Sequence, residues 1–148
     1  MGRYYDGDIS GKFMFGVQDS NAADRFGSIG ETDDSYEDET LIYSFNRNHL
    51  NKVSKEIYKL EESLNKKLKG AEELLDNFFS DEQIETYNNR KISRYFTKHK
   101  PEIWKDKYKG FKEDMVQLIL SDYADLKLGR QIQEQLMKHG TCGFEADN

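Results

Sequence analysis

Cysteine, proline and tryptophan are nearly missing from this sequence: one of each occurs in 148 residues. Cys142 alone closes no intramolecular disulfide and supplies no thiolate zinc cluster, so a reducing, cytoplasmic setting is expected. No apolar run approaches twenty residues and no hydrophobic leader follows Met1, so neither membrane spanning nor secretion is expected. The P-loop, G-x-S-x-G, H-E-x-x-H and G-x-G-x-x-G patterns do not occur. His49, His99 and His139 stand far apart in the chain. On these grounds no catalytic residue, metal ligand or cofactor is assigned, and the chain leans away from enzymes.

Apolar residues are also scarce. Hydrophobic content is 36% and mean hydropathy −0.92, whereas aromatics reach 13%. Each buried aromatic removes about 150–250 Å² from water, so a small, aromatic core is expected. The formal net charge of −6 argues against a general nucleic-acid binder. The charge is unevenly placed, however. Residues 31–40 hold Glu31, Asp33, Asp34, Glu37, Asp38 and Glu39 with no base, which reads as an exposed acidic loop. Residues 90–112 hold Arg90, Lys91, Arg94, Lys98, Lys100, Lys105, Lys107, Lys109 and Lys112 against Glu102 and Asp106.

Glycine and aromatics dominate the start of the chain. Gly2, Gly7, Gly11, Gly16, Gly27 and Gly30 punctuate a stretch containing Tyr4, Tyr5, Phe13, Phe15 and Phe26. Phe13, Phe15 and Val17 alternate as on a half-buried strand, and Leu41 to Phe45 suggests a second. Helical spacing follows. Leu50, Val53, Ile57, Leu60, Leu64 and Leu68 share one face, with Asn46 or Asn48 as N-cap and Gly70 as terminator. A shorter helix carries Ala71, Leu74, Leu75, Phe78 and Phe79.

Ser80-Asp81-Glu82-Gln83 has the form of a capping box opening a third helix through Ile84, Tyr87, Ile92, Tyr95 and Phe96. Pro101 should start another. The longest helix runs from Phe111 to His139, with Gly129 as a possible kink and Gly140 as its stop. The apolar alternation of Cys142, Phe144 and Ala146 predicts a strand returning to the N-terminal sheet. One domain, 1–148, is therefore expected. Its fold class is α+β: a small antiparallel sheet from the N-terminal third plus the C-terminal tail, packed on four to six helices. The head spans 1–46, the helical body 47–140 and the returning strand or tail 141–148.

Two segments invite chemistry. Asp6-Gly7-Asp8-Ile9-Ser10-Gly11 matches the first half of a calcium loop, but Val17 stands where a bidentate Glu is needed. A polar turn held by Asx-type hydrogen bonds accounts for both aspartates. In the basic segment, Arg90, Arg94, Lys98 and Lys105 could track phosphates while Trp104 stacks a base. Amphipathic helices with solvated lysines explain the same residues. Cys142 beside an apolar strand residue reads as a small buried hydrophobe or, alternatively, as a nucleophile paired with a histidine.

The two ends together, Gly2-Arg3-Tyr4-Tyr5-x-Gly7-Asp8-Ile9-x-Gly11-Lys12-Phe13-x-Phe15-x-Val17-Gln18 and Cys142-x-Phe144-Glu145-Ala146, resemble a set of uncharacterised short proteins of large DNA viruses, phages and environmental sequences. The resemblance covers about a fifth of the chain, implies a viral source and assigns no activity. The leading expectation is a non-catalytic accessory protein that binds a protein partner or itself. Its contact residues would be Tyr4, Tyr5, Asp6, Asp8 and Lys12, together with the acidic loop. Nucleic-acid binding through 90–112 is the alternative, and a small enzyme acting on a nucleotide or phosphate at Asp6, Asp8 and Lys12 is a third reading.

Overall fold

The computed structural model describes residues 4–12, 18–32, 40–81, 88–107 and 112–147. Its architecture is α+β, with five strands and five α-helices among these residues. The strands are β1 (Tyr4–Gly7), β2 (Gly11–Lys12), β3 (Glu31–Thr32), β4 (Leu41–Asn46) and β5 (Thr141–Asp147). They form one sheet in the order β2-β1-β5-β4-β3, with every neighbouring pair antiparallel. The C-terminal strand thus lies at the centre, between β1 and β4, as its alternation predicts. The expected strand through Phe13, Phe15 and Val17 lies outside the described residues, as does most of the acidic segment. Of that segment, Glu31 and Thr32 form β3, and Thr40, just before β4, is buried.

One face of the sheet is the floor of the core. Tyr5, Tyr43, Phe45, Cys142, Phe144 and Ala146 point inward and are nearly inaccessible. Tyr43 and Phe144 are cross-strand partners whose rings stack with centroids 5.2 Å apart, and Tyr5 meets Phe144 edge-on at 5.5 Å. Such pairs add to burial, which itself stabilises by about 1.5–3 kcal/mol per large apolar side chain.

The helices are α1 (Leu50–Lys67), α2 (Ala71–Asp81), α3 (Asn89–His99), α4 (Pro101–Lys107) and α5 (Lys112–His139). Chain entry into α1 follows the sequence. Asn46 caps a short 3-10 turn, Arg47–His49, through its side chain to the Asn48 amide, and the His49 ring accepts the Asn46 amide in return. Gly140 at φ +75° ends α5 in the left-handed region that glycine tolerates. By contrast, α1 stops earlier than expected, at Lys67 with Leu68 extended as its C-cap, and Gly70 at φ +79° stands at the start of α2, where its carbonyl accepts the Leu74 amide. No helix among the described residues is long and apolar enough to cross a membrane.

Two local expectations are corrected. Ser80 is not an N-cap; it lies in the last turn of α2, where its hydroxyl donates to the Asn77 carbonyl at 2.7 Å. The cap of α3 is Asn88, which accepts the Lys91 amide at 2.8 Å. Gly129 does not break α5, which is continuous from Lys112 to His139. A Cβ there would sit 2.6 Å from the Phe26 ring and 3.0 Å from Ile57. The glycine admits those side chains against the α5 backbone, so its role is close packing.

Candidate functional site

The residues at the start of the chain separate by strand parity. Tyr5 faces inward at 6% exposure, so it is no contact-surface residue; this corrects its placement from sequence. Its hydroxyl donates to Gln18 Oε1 at 3.0 Å, and Gln18 Nε2 donates to Asp125 Oδ1 at 2.9 Å. Arg25 then bridges Asp125 Oδ2 at 3.1 Å and Glu56 Oε1 at 3.4 Å. Burial, aided by the Asp125 charge, pushes the Tyr5 hydroxyl well above its ordinary pKa.

The two carboxyls of this network respond in opposite directions. At Asp125 burial raises the pKa, and Asp122 adds to the rise while Gln18 and Arg25 oppose it. At Glu56 burial also pushes upward, but the Lys59 contact and the Lys52 and Arg25 charges outweigh it and hold the carboxyl below its usual range. The chain of contacts ties β1, the 3-10 turn Ala22–Phe26, α1 and α5 together. The network braces these elements against one another, and Glu56 Oε2 faces Lys52 and Lys59 at 3.6 and 3.1 Å.

Asp6 and Asp8 are exposed. Asp8 extends the pairing of β1 with β5: its carboxylate accepts the Gly143 amide at 2.8 Å while its own amide donates to the Gly143 carbonyl at 2.9 Å. The Asp8 bond expected to be local, of the Asx type, is instead made to Gly143 of β5, and residues 13–17 of the proposed loop lie outside the described residues. The backbones of Tyr4 and Lys12 pair across β1 and β2, and their side chains lie outside the described residues. Cys142 is buried, and burial together with the Asp8 charge pushes its thiol up to about 12. A thiol so shifted is protonated at neutral pH, which removes the nucleophile reading.

The basic segment divides in the same manner. Arg90, Arg94 and Lys98 lie one turn apart on the exposed side of α3, with Lys91 adjoining, while Ile92 and Phe96 are buried on the other side. Trp104 is fully buried; its Nε1 donates to Ser93 Oγ at 3.0 Å and its ring meets Phe96 edge-on at 5.0 Å. It is a core residue, not a stacking platform. The Lys105 side chain lies outside the described residues.

The outer face of the sheet is the surface these placements leave open. Register aligns Asp6, Glu145, Ile42 and Glu31 in one cross-strand row over β1, β5, β4 and β3. Asp6 and Glu145 are directly opposite, an arrangement of like charges that costs stability. The next row holds Ser44 and Gly143, with Asp8 beside them. Among the described residues, a Cβ on Gly143 would meet nothing nearer than the Tyr43 carbonyl at 3.8 Å, so no described side chain lies against the centre of the face. Sequence reasoning missed Ile42, Ser44, Gly143 and Glu145; the alternation in β4 and β5 marks them as outward once the inward residues are known. Elsewhere, a broad groove of about 660 Å³ runs beside Tyr58 and Lys66 on α1, and a shallower cleft of about 450 Å³ opens between Arg47 and His139. No family model, curated protein or solved structure matches the chain.

Proposed function

We propose that this is a non-catalytic binding protein that engages a basic protein partner through the outer face of its sheet. The observation that carries the reading is the outer face of the sheet, where, among the described residues, Asp6, Asp8, Glu31 and Glu145 gather around Ile42, Ser44 and Gly143. Folding alone gives no reason to set Asp6 opposite Glu145, because the pairing is unfavourable until a cation arrives. A cytoplasmic accessory role, viral on the resemblance of the chain ends, is the setting proposed for it. The alternative of nucleic-acid binding keeps Arg90, Arg94 and Lys98 but loses Trp104 as a stacking group. The enzyme reading at Asp6, Asp8 and Lys12 has least support, because Asp8 is engaged with the Gly143 amide.

The test is titration of the isotopically labelled protein with a lysine- and arginine-rich peptide. Amide shifts should concentrate at Asp6, Ile42, Ser44 and Glu145, and Gly143→Arg should abolish them while the fold is kept. Shifts that scatter over the surface, or that survive Gly143→Arg, would rule the face out.

A further inference from the structure

An arginine and a histidine meet where α1 begins and α5 ends. Asn46 and Thr141 are the last cross-strand partners of β4 and β5, and Arg47 and Gly140 lie against each other just beyond them. The cleft of about 450 Å³ at this corner is lined by Asn46, Arg47, Asn48, His139, Gly140 and Thr141, with no carboxylate among the described residues of its wall. In a chain of net charge −6, a lining without acids stands out. Its volume falls within the range of about 300–1,000 Å³ common to small-ligand sites. The side chains of Arg47 and His139 have no hydrogen-bond or ion-pair partner among the described residues. Arg25, by contrast, is held by Asp125 and Glu56, and Arg130 by Glu72.

Arg47 is nevertheless seated. A Cβ on Gly140 would lie 2.8 Å from Arg47 Nε and 3.2 Å from its Cζ, so the guanidinium packs on backbone that only glycine leaves bare. Gly140, at φ +75°, both ends α5 and makes this seat. The helix dipoles do not set the sign of the cleft, because the positive start of α1 and the negative end of α5 meet there and offset each other. The Arg47 charge sets it.

We propose that this cleft binds a phosphate group, either as the free ion or carried on a small molecule as a monoester. The guanidinium fork offers parallel donors to two phosphate oxygens. The His139 ring, the Thr141 hydroxyl and the Asn48 amide add donors from the same wall. Together they exceed what the two oxygens of a carboxylate can use and suit the terminal oxygens of a phosphate. All four side chains are exposed, so binding is weak and falls as salt rises.

Titration of the isotopically labelled full chain with inorganic phosphate, glycerol phosphate and acetate, at neutral pH and constant ionic strength, tests this. Saturable shifts should concentrate at the amides of Arg47, Asn48, Gly140 and Thr141. Both phosphate compounds should bind at least about tenfold more tightly than acetate, and the tighter of the two names the source of the group. Arg47→Gln should weaken phosphate binding at least about tenfold, and His139→Gln should weaken it less. Circular dichroism checks that both variants are folded. Arg47→Lys, which keeps the charge and loses the fork, replaces Arg47→Gln if that variant is not, and should bind more weakly than wild type.

Shifts that do not saturate, or that spread to Arg94 and Lys98, reflect general attraction of anions to exposed cations and overturn the inference. Acetate binding as tight as phosphate binding overturns it too. If Arg47→Gln lowers the urea midpoint but leaves the phosphate shifts unchanged, Arg47 serves the end of α5 and the cleft is no site. None of these outcomes bears on the acidic sheet face, which shares no residue with the cleft.

Discussion

The two faces of the sheet are made by the same strands and share every backbone hydrogen bond, yet they obey different rules. On β5, Cys142, Phe144 and Ala146 are 1%, 3% and 0% exposed, whereas Thr141 is exposed and Gly143 and Glu145 are half-buried. The inner residues interlock with Tyr5, Tyr43 and Phe45 through ring contacts. The outer ones pair carboxylate with carboxylate across β1 and β5. Strand parity lets one segment satisfy folding on one side while the other side is free to carry a composition that folding does not favour. Stability and binding should therefore separate by face, and the comparison can be broken by substitutions on either side.

The largest effect is expected inside. Phe144→Ala removes the ring on which Tyr5, Tyr43 and Phe45 converge. A loss of about 3–5 kcal/mol should appear as a large drop in the urea midpoint. An exposed substitution on the same strand, such as Thr141→Ala, should move the midpoint little. Gly7→Ala comes next, at about 2–3 kcal/mol. Gly7 sits at φ +126°, and a Cβ there would lie 2.8 Å from the Gly143 carbonyl and 2.9 Å from Phe144 Cα. If Gly7→Ala were as stable as wild type, the tight junction of β1 with β5 described above would be wrong.

The brace beneath the sheet adds a pH signature. Glu56 titrates below its ordinary value in the folded protein, so its contribution is present above pH about 4.5 and is lost as pH falls through the lower folded value. Asp125 is raised, so the folded state binds its proton more readily; its contribution is present below about pH 3.8 and lost as pH rises through the folded value. Glu56→Gln should cost about 1–2 kcal/mol at pH 7 and flatten acid unfolding. Asp125→Asn should steepen it. Urea midpoints between pH 3 and 7 check both, and acid limbs that move together would contradict the assignment.

Much of this frame was legible in the sequence, because it rests on local signals. A short apolar run marks β4, period-two alternation marks the returning β5, Gly140 marks the end of α5, and Pro101 opens α4. Contacts distant in sequence were not legible. Gln18 and Asp125 are 107 positions apart, and nothing near Tyr5 announces that its hydroxyl is committed to that pair. Trp104 is surrounded by lysines and reads as a surface residue until Ser93 and Phe96 enclose it. The Ser80 pattern fits a capping box, but the same residues serve equally well in the last turn of a helix. Gly129 reads as a kink in sequence because glycine weakens a helix; the Phe26 ring against it appears only in three dimensions. The outer-face site was hidden for the same reason, since Asp6, Glu31, Ile42 and Glu145 come from four separate segments.

The smallest expected change in stability is the sharpest test of the separation between faces. Glu145→Lys replaces a like-charge neighbour of Asp6 with an opposite one at a half-buried, outward position. A cross-strand pair of opposite charge is worth about 0.2–1 kcal/mol relative to a neutral pair, and the lost repulsion acts in the same direction. The variant should therefore be slightly more stable than wild type at low salt, with the gain shrinking at high salt as the charges are screened. Binding to the basic peptide should fall in the same variant. An opposite pairing of outcomes, lower stability with unchanged binding, would mean that Glu145 serves the fold and that the two faces are not divided as proposed. Concordant gain and loss in one substitution would show that the wild-type face gives up stability for what it binds.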